Sequence, residues 1–317
     1  MIISLIRLRC ACSIFGILLA TLLSQPTGSA DIWKEAQHGF ADNKGIKIHF
    51  ATVGNGPLVV MIHGFPDFWY TWRHQMNALK NDFKVVAIDQ RGYNKSAQPL
   101  SPEAYDMPQL ISDVEAVIRH HGKEKATVIG HDWGGAVAWQ FAFSHPQMTQ
   151  NLVILNLPHP NGFMRELTRN HVQRSNSAYA QTFKKGNASD SDVFFGRAMT
   201  PENLAGWITA PDIRQRYISA FEKSSFDSML QIYKRNYPDL PKLNAAIQQN
   251  AVVLKCPTLM FHGLEDQALH SDGLNNTWDW IDAEFTLMTI PEAGHFVQND
   301  AAEKVSRTLK WWLMNHH

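Results

Sequence analysis

The sequence predicts an α/β fold: a mostly parallel, doubly wound sheet interrupted by an inserted all-helical segment. Three observations carry that prediction. Short, β-branched apolar runs alternate with longer amphipathic runs from Ile46 onward, as strands joined by right-handed helical crossovers require. Several short runs, such as Leu58–Ile62 (LVVMI), are apolar throughout, which fits strands covered on both faces. From about Pro160 to Asn250 strand patterns disappear, and they resume at Thr258.

The elements follow in order. Residues 1–30 read as a signal peptide. Arg7 and Arg9 form a positive start, Ser13 to Leu23 an apolar stretch, and Gly28-Ser29-Ala30 a small-residue cleavage site. A retained N-terminal anchor is the alternative, but the apolar stretch is short for a span. Export to the periplasm or exterior is therefore expected, with no stable membrane span after cleavage. Cleavage after Ala30 would leave Cys256 as the single cysteine. The first part of the core covers 31–159, with strands at Ile46–Gly54, Leu58–Gly64, Lys84–Gln90, Ala126–Gly130 and Asn151–Leu157. Helices are expected at Trp69–Asn81, Met107–His121 and Trp133–Ser144. Residues 160–250 are too long for a crossover and carry only helical patterns broken by Gly186, Pro201, Pro211 and Pro238. They are read as a helical lid over one end of the sheet. The core resumes over 251–317, with strands at Thr258–Gly263 and Glu284–Ile290 and a helix at Ala301–Asn315.

Composition narrows the function classes. With 317 residues, 29 Lys+Arg against 29 Asp+Glu and 44% apolar residues, the chain is an ordinary globular protein. Zero net charge gives no footprint for nucleic acid. Three cysteines build no disulfide framework, and no Cys/His cluster has zinc spacing, so no metal is expected. Oligomeric state is not legible in the sequence.

Sites in open α/β sheets lie beyond the carboxyl ends of strands. After Ala126–Gly130 stands Gly130-His131-Asp132-Trp133-Gly134, a single carboxylate on a tight turn into a helix. That is the context of a nucleophile elbow. Asp132 would also serve as an N-cap, but capping does not explain Gly134-Gly135 at the start of the helix. His63-Gly64-Phe65-Pro66 follows another strand, Leu264-Glu265-Asp266 a third, and Glu292-Ala293-Gly294-His295-Phe296 a fourth. Nucleophile, acid and histidine thus occur in the chain order of a hydrolase triad.

These residues resemble the epoxide-hydrolase branch of the α/β-hydrolase superfamily, along nearly the whole chain after residue 30. The resemblance rests on HGFPDFWYTWRHQ (His63–Gln75), DQRGYNKS (Asp89–Ser96), GHDWGG (Gly130–Gly135), GLED (Gly263–Asp266) and AGHFVQ (Ala293–Gln298). It implies Asp132 as nucleophile, His295 as general base and Asp266 as the acid that orients it. It further implies lid tyrosines as proton donors, matched here by Tyr179 and Tyr233, with Tyr237 the decoy one turn away. Backbone amides of Phe65 and Trp133 would form the oxyanion hole, and His63, Pro66 and Trp69 would line the pocket. The implied substrates are a small apolar epoxide and water, with no cofactor. Haloalkane and fluoroacetate dehalogenases share the Asp elbow and are the alternative. Their halide donors are absent: Phe65 stands where an Asn is usual after His-Gly, and Trp133 where fluoroacetate enzymes have Arg. Asn156, where some relatives place the triad acid, cannot supply that charge. A non-catalytic protein on the same scaffold is the remaining reading.

Overall fold

The computed structural model describes residues 31–239 and 252–316. Residues 1–30, expected to be a signal peptide, and residues 240–250, the end of the expected lid, lie outside the described residues. The described chain contains strands β1 (Gln37–Asn43), β2 (Ile46–Val53), β3 (Leu58–Ile62), β4 (Lys84–Ile88), β5 (Ala126–His131), β6 (Thr149–Leu155), β7 (Thr258–Gly263) and β8 (Phe285–Ile290). They form one sheet in the order β1-β2-β4-β3-β5-β6-β7-β8. β1 and β2 pair antiparallel, β2 joins β4 antiparallel, and all further pairings are parallel. Every residue of β3, β5 and β7 is buried, so the central strands are covered on both faces.

β1 is the element the hydrophobic pattern does not reveal. Its sequence, QHGFADN, is largely polar because it is an edge strand with several residues exposed. Its turn into β2 uses Lys44 at φ 52° and Gly45 at φ 91°, the left-handed pair of a two-residue hairpin. Lys at the first position hides the usual Asn-Gly signature.

Helices α1 (Ile32–Glu35), α2 (Arg73–Leu79), α3 (Met107–His120), α4 (Trp133–Ser144), α5 (Pro160–Arg169), α6 (His171–Asn176), α7 (Ala178–Lys185), α8 (Pro201–Leu204), α9 (Pro211–Phe221), α10 (Phe226–Asn236), α11 (Val297–Asp300) and α12 (Ala302–Met314) complete the order. The single helix expected at Trp69–Asn81 is instead a 3-10 turn, Trp69–Trp72, followed by α2. Trp69 and Trp72 stand three residues apart and both are buried, the spacing at which a 3-10 turn aligns side chains. α3 and α12 each bury one apolar stripe: Leu110, Val114, Val117 and Ile118 in the first, Val305, Leu309, Trp312 and Leu313 in the second.

Between β6 and β7 the described chain holds α5 to α10 and no strand beyond two isolated bridges, Phe194 with Arg197 and Leu254 with Ile281. His159 starts this segment, its Nδ1 accepting the Asn161 amide proton at 3.2 Å and its ring stacked on Trp280 at 4.5 Å. No helix among the described residues is long and apolar enough to cross a membrane.

Strand order positions the site. From β3 the chain moves outward to β4, then returns to place β5 on the opposite side of β3. The loops leaving β3 and β5 therefore diverge and open a crevice between their carboxyl ends.

Candidate active site

Asp132 stands in that crevice, immediately after β5. Its φ of 51° and ψ of −122° place it in a conformation non-glycine residues avoid, a strain characteristic of functional turns. Glycines make the turn possible. A Cβ on Gly134 would lie 2.1 Å from the Ile62 carbonyl oxygen, and one on Gly64 would lie 2.5 Å from Asp132 Cβ. Asp132 occupies the N-cap position of α4, yet its side chain makes no capping hydrogen bond. Oδ1 instead accepts the Phe65 amide proton at 2.9 Å, and Oδ2 faces His295 Nε2 at 3.6 Å.

His295 follows β8 and bridges two carboxylates. Its Nδ1 donates to Asp266 Oδ2 at 2.9 Å. Asp266 follows β7, and its Oδ1 accepts the amide protons of Ala268 at 2.7 Å and Leu269 at 3.0 Å. Burial opposes both anions, but the His295 charge and hydrogen bonds outweigh it. Asp132 and Asp266 are therefore held below the ordinary carboxylate range. Burial likewise opposes the imidazolium, and the adjacent Asp266 and Asp132 carboxylates raise it well above the ordinary histidine range. In the resting protein the three groups form an anion–cation–anion row.

Two further residues brace this row. His131 Nε2 donates to the His295 carbonyl at 2.8 Å, and burial pushes its pKa down to about 4, so it stays neutral. Asn156 donates to Asp266 Oδ2 at 2.6 Å. Both sit at the carboxyl ends of central strands, which is the one sequence signal that could have singled them out.

The helical segment supplies the other wall of the crevice. Tyr179 on α7 and Tyr233 on α10 have ring centroids 6.3 Å apart. Tyr233 meets the rings of Trp133 at 5.0 Å, Phe183 at 5.0 Å and Phe65 at 5.3 Å, each nearly edge-on. Burial, followed by Asp132 for Tyr179 and by Tyr179 and then Asp132 for Tyr233, pushes both phenols well above their ordinary range, so both remain protonated donors. Tyr179 and Tyr233 form the shared wall of two cavities. One, of about 230 Å³, is also lined by Asp132, Trp133, Leu157, Phe163 and Tyr237. The other, of about 630 Å³, is lined by Phe65, Pro66, Trp207, Glu265, His295 and Phe296. Tyr237 lines only the smaller cavity.

Two expected pocket residues line neither cavity. His63 is fully buried behind the crevice: its Nδ1 donates to the Gly64 carbonyl at 2.7 Å and its Nε2 accepts the Gln90 amide proton at 3.0 Å. It therefore ties the loop after β3 to the loop after β4. Trp69 stacks on Trp33 at 5.6 Å and donates its amide proton to Asp89 Oδ1 at 3.0 Å. Both are scaffold. Among the described residues no cluster of His, Cys, Asp or Glu has the arrangement of a metal site.

Comparison with known proteins gives the same placement. Residues 57–302 match the family described as α/β hydrolase fold. The chain is 31% identical over 291 residues to Epoxide hydrolase 1 of Caenorhabditis elegans, covering 85% of this chain and 68% of that protein. It is 29% identical to human Epoxide hydrolase 4, covering 86% and 76% respectively. The crystal structure of a point mutant of an epoxide hydrolase from Bacillus megaterium is similar with a TM-score of 0.77. That chain is 32% identical, and the match covers 87% of this chain and all of the other. The chain belongs to the α/β hydrolase fold family, in its epoxide hydrolase branch.

Proposed function

We propose that the protein opens an epoxide to a vicinal diol through an ester on Asp132. The observation that carries this reading is one geometry: a carboxylate held between an amide and a histidine, lining one cavity with two protonated phenols. An epoxide oxygen is a poor leaving group, so attack at carbon and proton donation to oxygen must coincide. Asp132 Oδ2 attacks carbon, the carbon–oxygen bond breaks, and the departing electron pair takes a proton from Tyr179 or Tyr233. Esterification removes the Asp132 charge from beside His295. The imidazolium then loses one of its two stabilising anions, and its proton restores the tyrosine.

Neutral His295, aimed by Asp266, takes a proton from water, whose oxygen attacks the ester carbonyl carbon. The oxyanion forms on Oδ1, where the Phe65 amide already donates and the Trp133 amide is the second donor, each worth about 3–4 kcal/mol in comparable hydrolases. Collapse expels the diol oxygen, which takes the proton of the added hydroxyl. Asp132 carboxylate and His295 imidazolium are thereby regenerated. The smaller cavity suits a compact apolar substituent, and the larger one beside His295 supplies water. Incubation with a panel of terminal epoxides, with diol measured by chiral chromatography, tests the reading. Halide release from haloalkanes or haloacetates without diol formation would favour the dehalogenase chemistry instead. Export is a separate part of the proposal: residues 1–30 direct it, and fractionation of expressing cells should find protein beginning at Asp31 outside the cytoplasm.

A further inference from the structure

We infer that Asn156 is the positioning residue that fixes the charge and aim of the His295–Asp266 pair. The inference rests on the reading of that pair as the base of ester hydrolysis. Asn156 follows β6 directly and is fully buried, with a φ of 44°. Left-handed backbone is rare outside glycine, and asparagine is among the residues that tolerate it. The side chain uses both donors and its acceptor. Nδ2 donates to Asp266 Oδ2 at 2.6 Å and to the Gly294 carbonyl at 3.1 Å, while Oδ1 accepts the Gly263 amide proton at 3.2 Å. Its own amide donates to the Phe261 carbonyl at 3.0 Å. One side chain thus joins the carboxyl ends of β6, β7 and β8, and the Gly294 it holds immediately precedes His295.

The chemistry explains why an amide stands there. Asp266 Oδ2 must accept from His295 while remaining ionised in a buried place, and a neutral N–H donor stabilises that charge without competing for the proton. An apolar side chain would leave Oδ2 one donor short and release the Gly294 carbonyl. A carboxylate would set a second anion against Asp266 and draw the proton of His295 more tightly.

The test pairs Asn156→Ala with Asn156→Asp. In Asn156→Ala, ester formation, followed by the rapid change in tryptophan fluorescence on mixing with epoxide, should change less than about threefold. Ester hydrolysis should slow about tenfold to a hundredfold, the scale of losing a partner that orients a histidine, so that intact-protein mass shows accumulated ester. In Asn156→Asp, which keeps size and shape, the acid limb of the kcat profile should move up by about one pH unit. The low-field proton resonance of His295 Nδ1, recorded without substrate, should broaden in Asn156→Ala through faster exchange with water. Equal slowing of both chemical steps in Asn156→Ala, or an unmoved acid limb in Asn156→Asp, would overturn the inference. Should Asn156→Ala not fold, the isosteric Asn156→Asp profile decides alone. If the wild-type protein opens no epoxide, the functional reading falls, and the resonance comparison still decides the role of Asn156.

Discussion

The two sides of the crevice are held by different physics. On the strand side, each reacting group is fixed by directional bonds to backbone that the sheet has already immobilised. Asp132 takes the Phe65 amide, and Asp266 takes the amides of Ala268 and Leu269. On the helical side, Tyr179 and Tyr233 are placed by packing. Phe183, fully buried, touches the rings of both tyrosines and of Phe65, Phe194 and Phe195. Hydrogen bonds to a fixed backbone give angular precision to charged groups. Aromatic packing excludes water and keeps phenols protonated, with weaker control of angle. The difference teaches that the two halves of the proposed reaction should fail separately.

The largest effect should come from the strand side. Asp132→Ala should lower turnover by about 10⁴-fold or more, since no other group can form the ester. The same change takes one of two anions from beside the buried His295 and leaves the turn strained, so thermal unfolding should show a loss of stability, with the protein still folded at the assay temperature. Tyr233→Phe should slow ester formation about a hundredfold while leaving hydrolysis of preformed ester near wild type. Stopped-flow and single-turnover measurements separate the two steps. Equal slowing of both would erase the distinction between the two sides.

Stability supplies the next contrast. Phe183→Ala should cost about 3–5 kcal/mol, the scale for deleting a buried phenyl ring. It should also reduce ester formation by loosening both tyrosines. Ile154→Val, a smaller deletion in the buried centre of β6, should cost about 1 kcal/mol and leave both steps unchanged. Denaturant titration and rapid kinetics on the two variants would check this.

A pH-dependent effect concerns the junction of the two regions. Burial depresses the pKa of His159 from 6.5 to about 3, so its neutral form is favoured in the folded state. The stability it contributes is fully present above pH 6.5 and is lost as the pH falls from there toward 3. His159→Asn keeps an acceptor for the first turn of α5 but cannot titrate. Its melting temperature should fall less steeply than wild type between about pH 7 and pH 4.5. Parallel slopes would remove His159 from the account.

What the sequence reveals follows the same division. The elbow is legible because its signal is local: a β-branched run, a carboxylate between glycines and an apolar helix. α4 begins and ends at the residues the pattern indicates. Asp132, Asp266 and His295 come from three separate stretches, and the structure places them in one row. Their common position after strands of the same sheet is what makes them readable together. Asn156 reads only as a residue lacking the charge of an acid, because its value lies in three bonds made to partners more than a hundred residues away. His63 and Trp69 are expected at the pocket because their loop reaches it. A sequence does not tell which side of a loop turns inward, and these two side chains face the scaffold. β1 escapes the apolar pattern because an edge strand need not be apolar.

The ester on Asp132 is the central claim, and isotope transfer tests it most directly. Wild-type protein in large excess over epoxide, in water enriched in oxygen-18, should release diol containing no heavy oxygen in the first turnover. Water attacks the carbonyl carbon in this account, so the oxygen added to carbon comes from Asp132, and the peptide carrying Asp132 should gain the label. Labelled diol from a single turnover, with an unlabelled Asp132 peptide, would mean that water attacks the epoxide itself and would contradict the account.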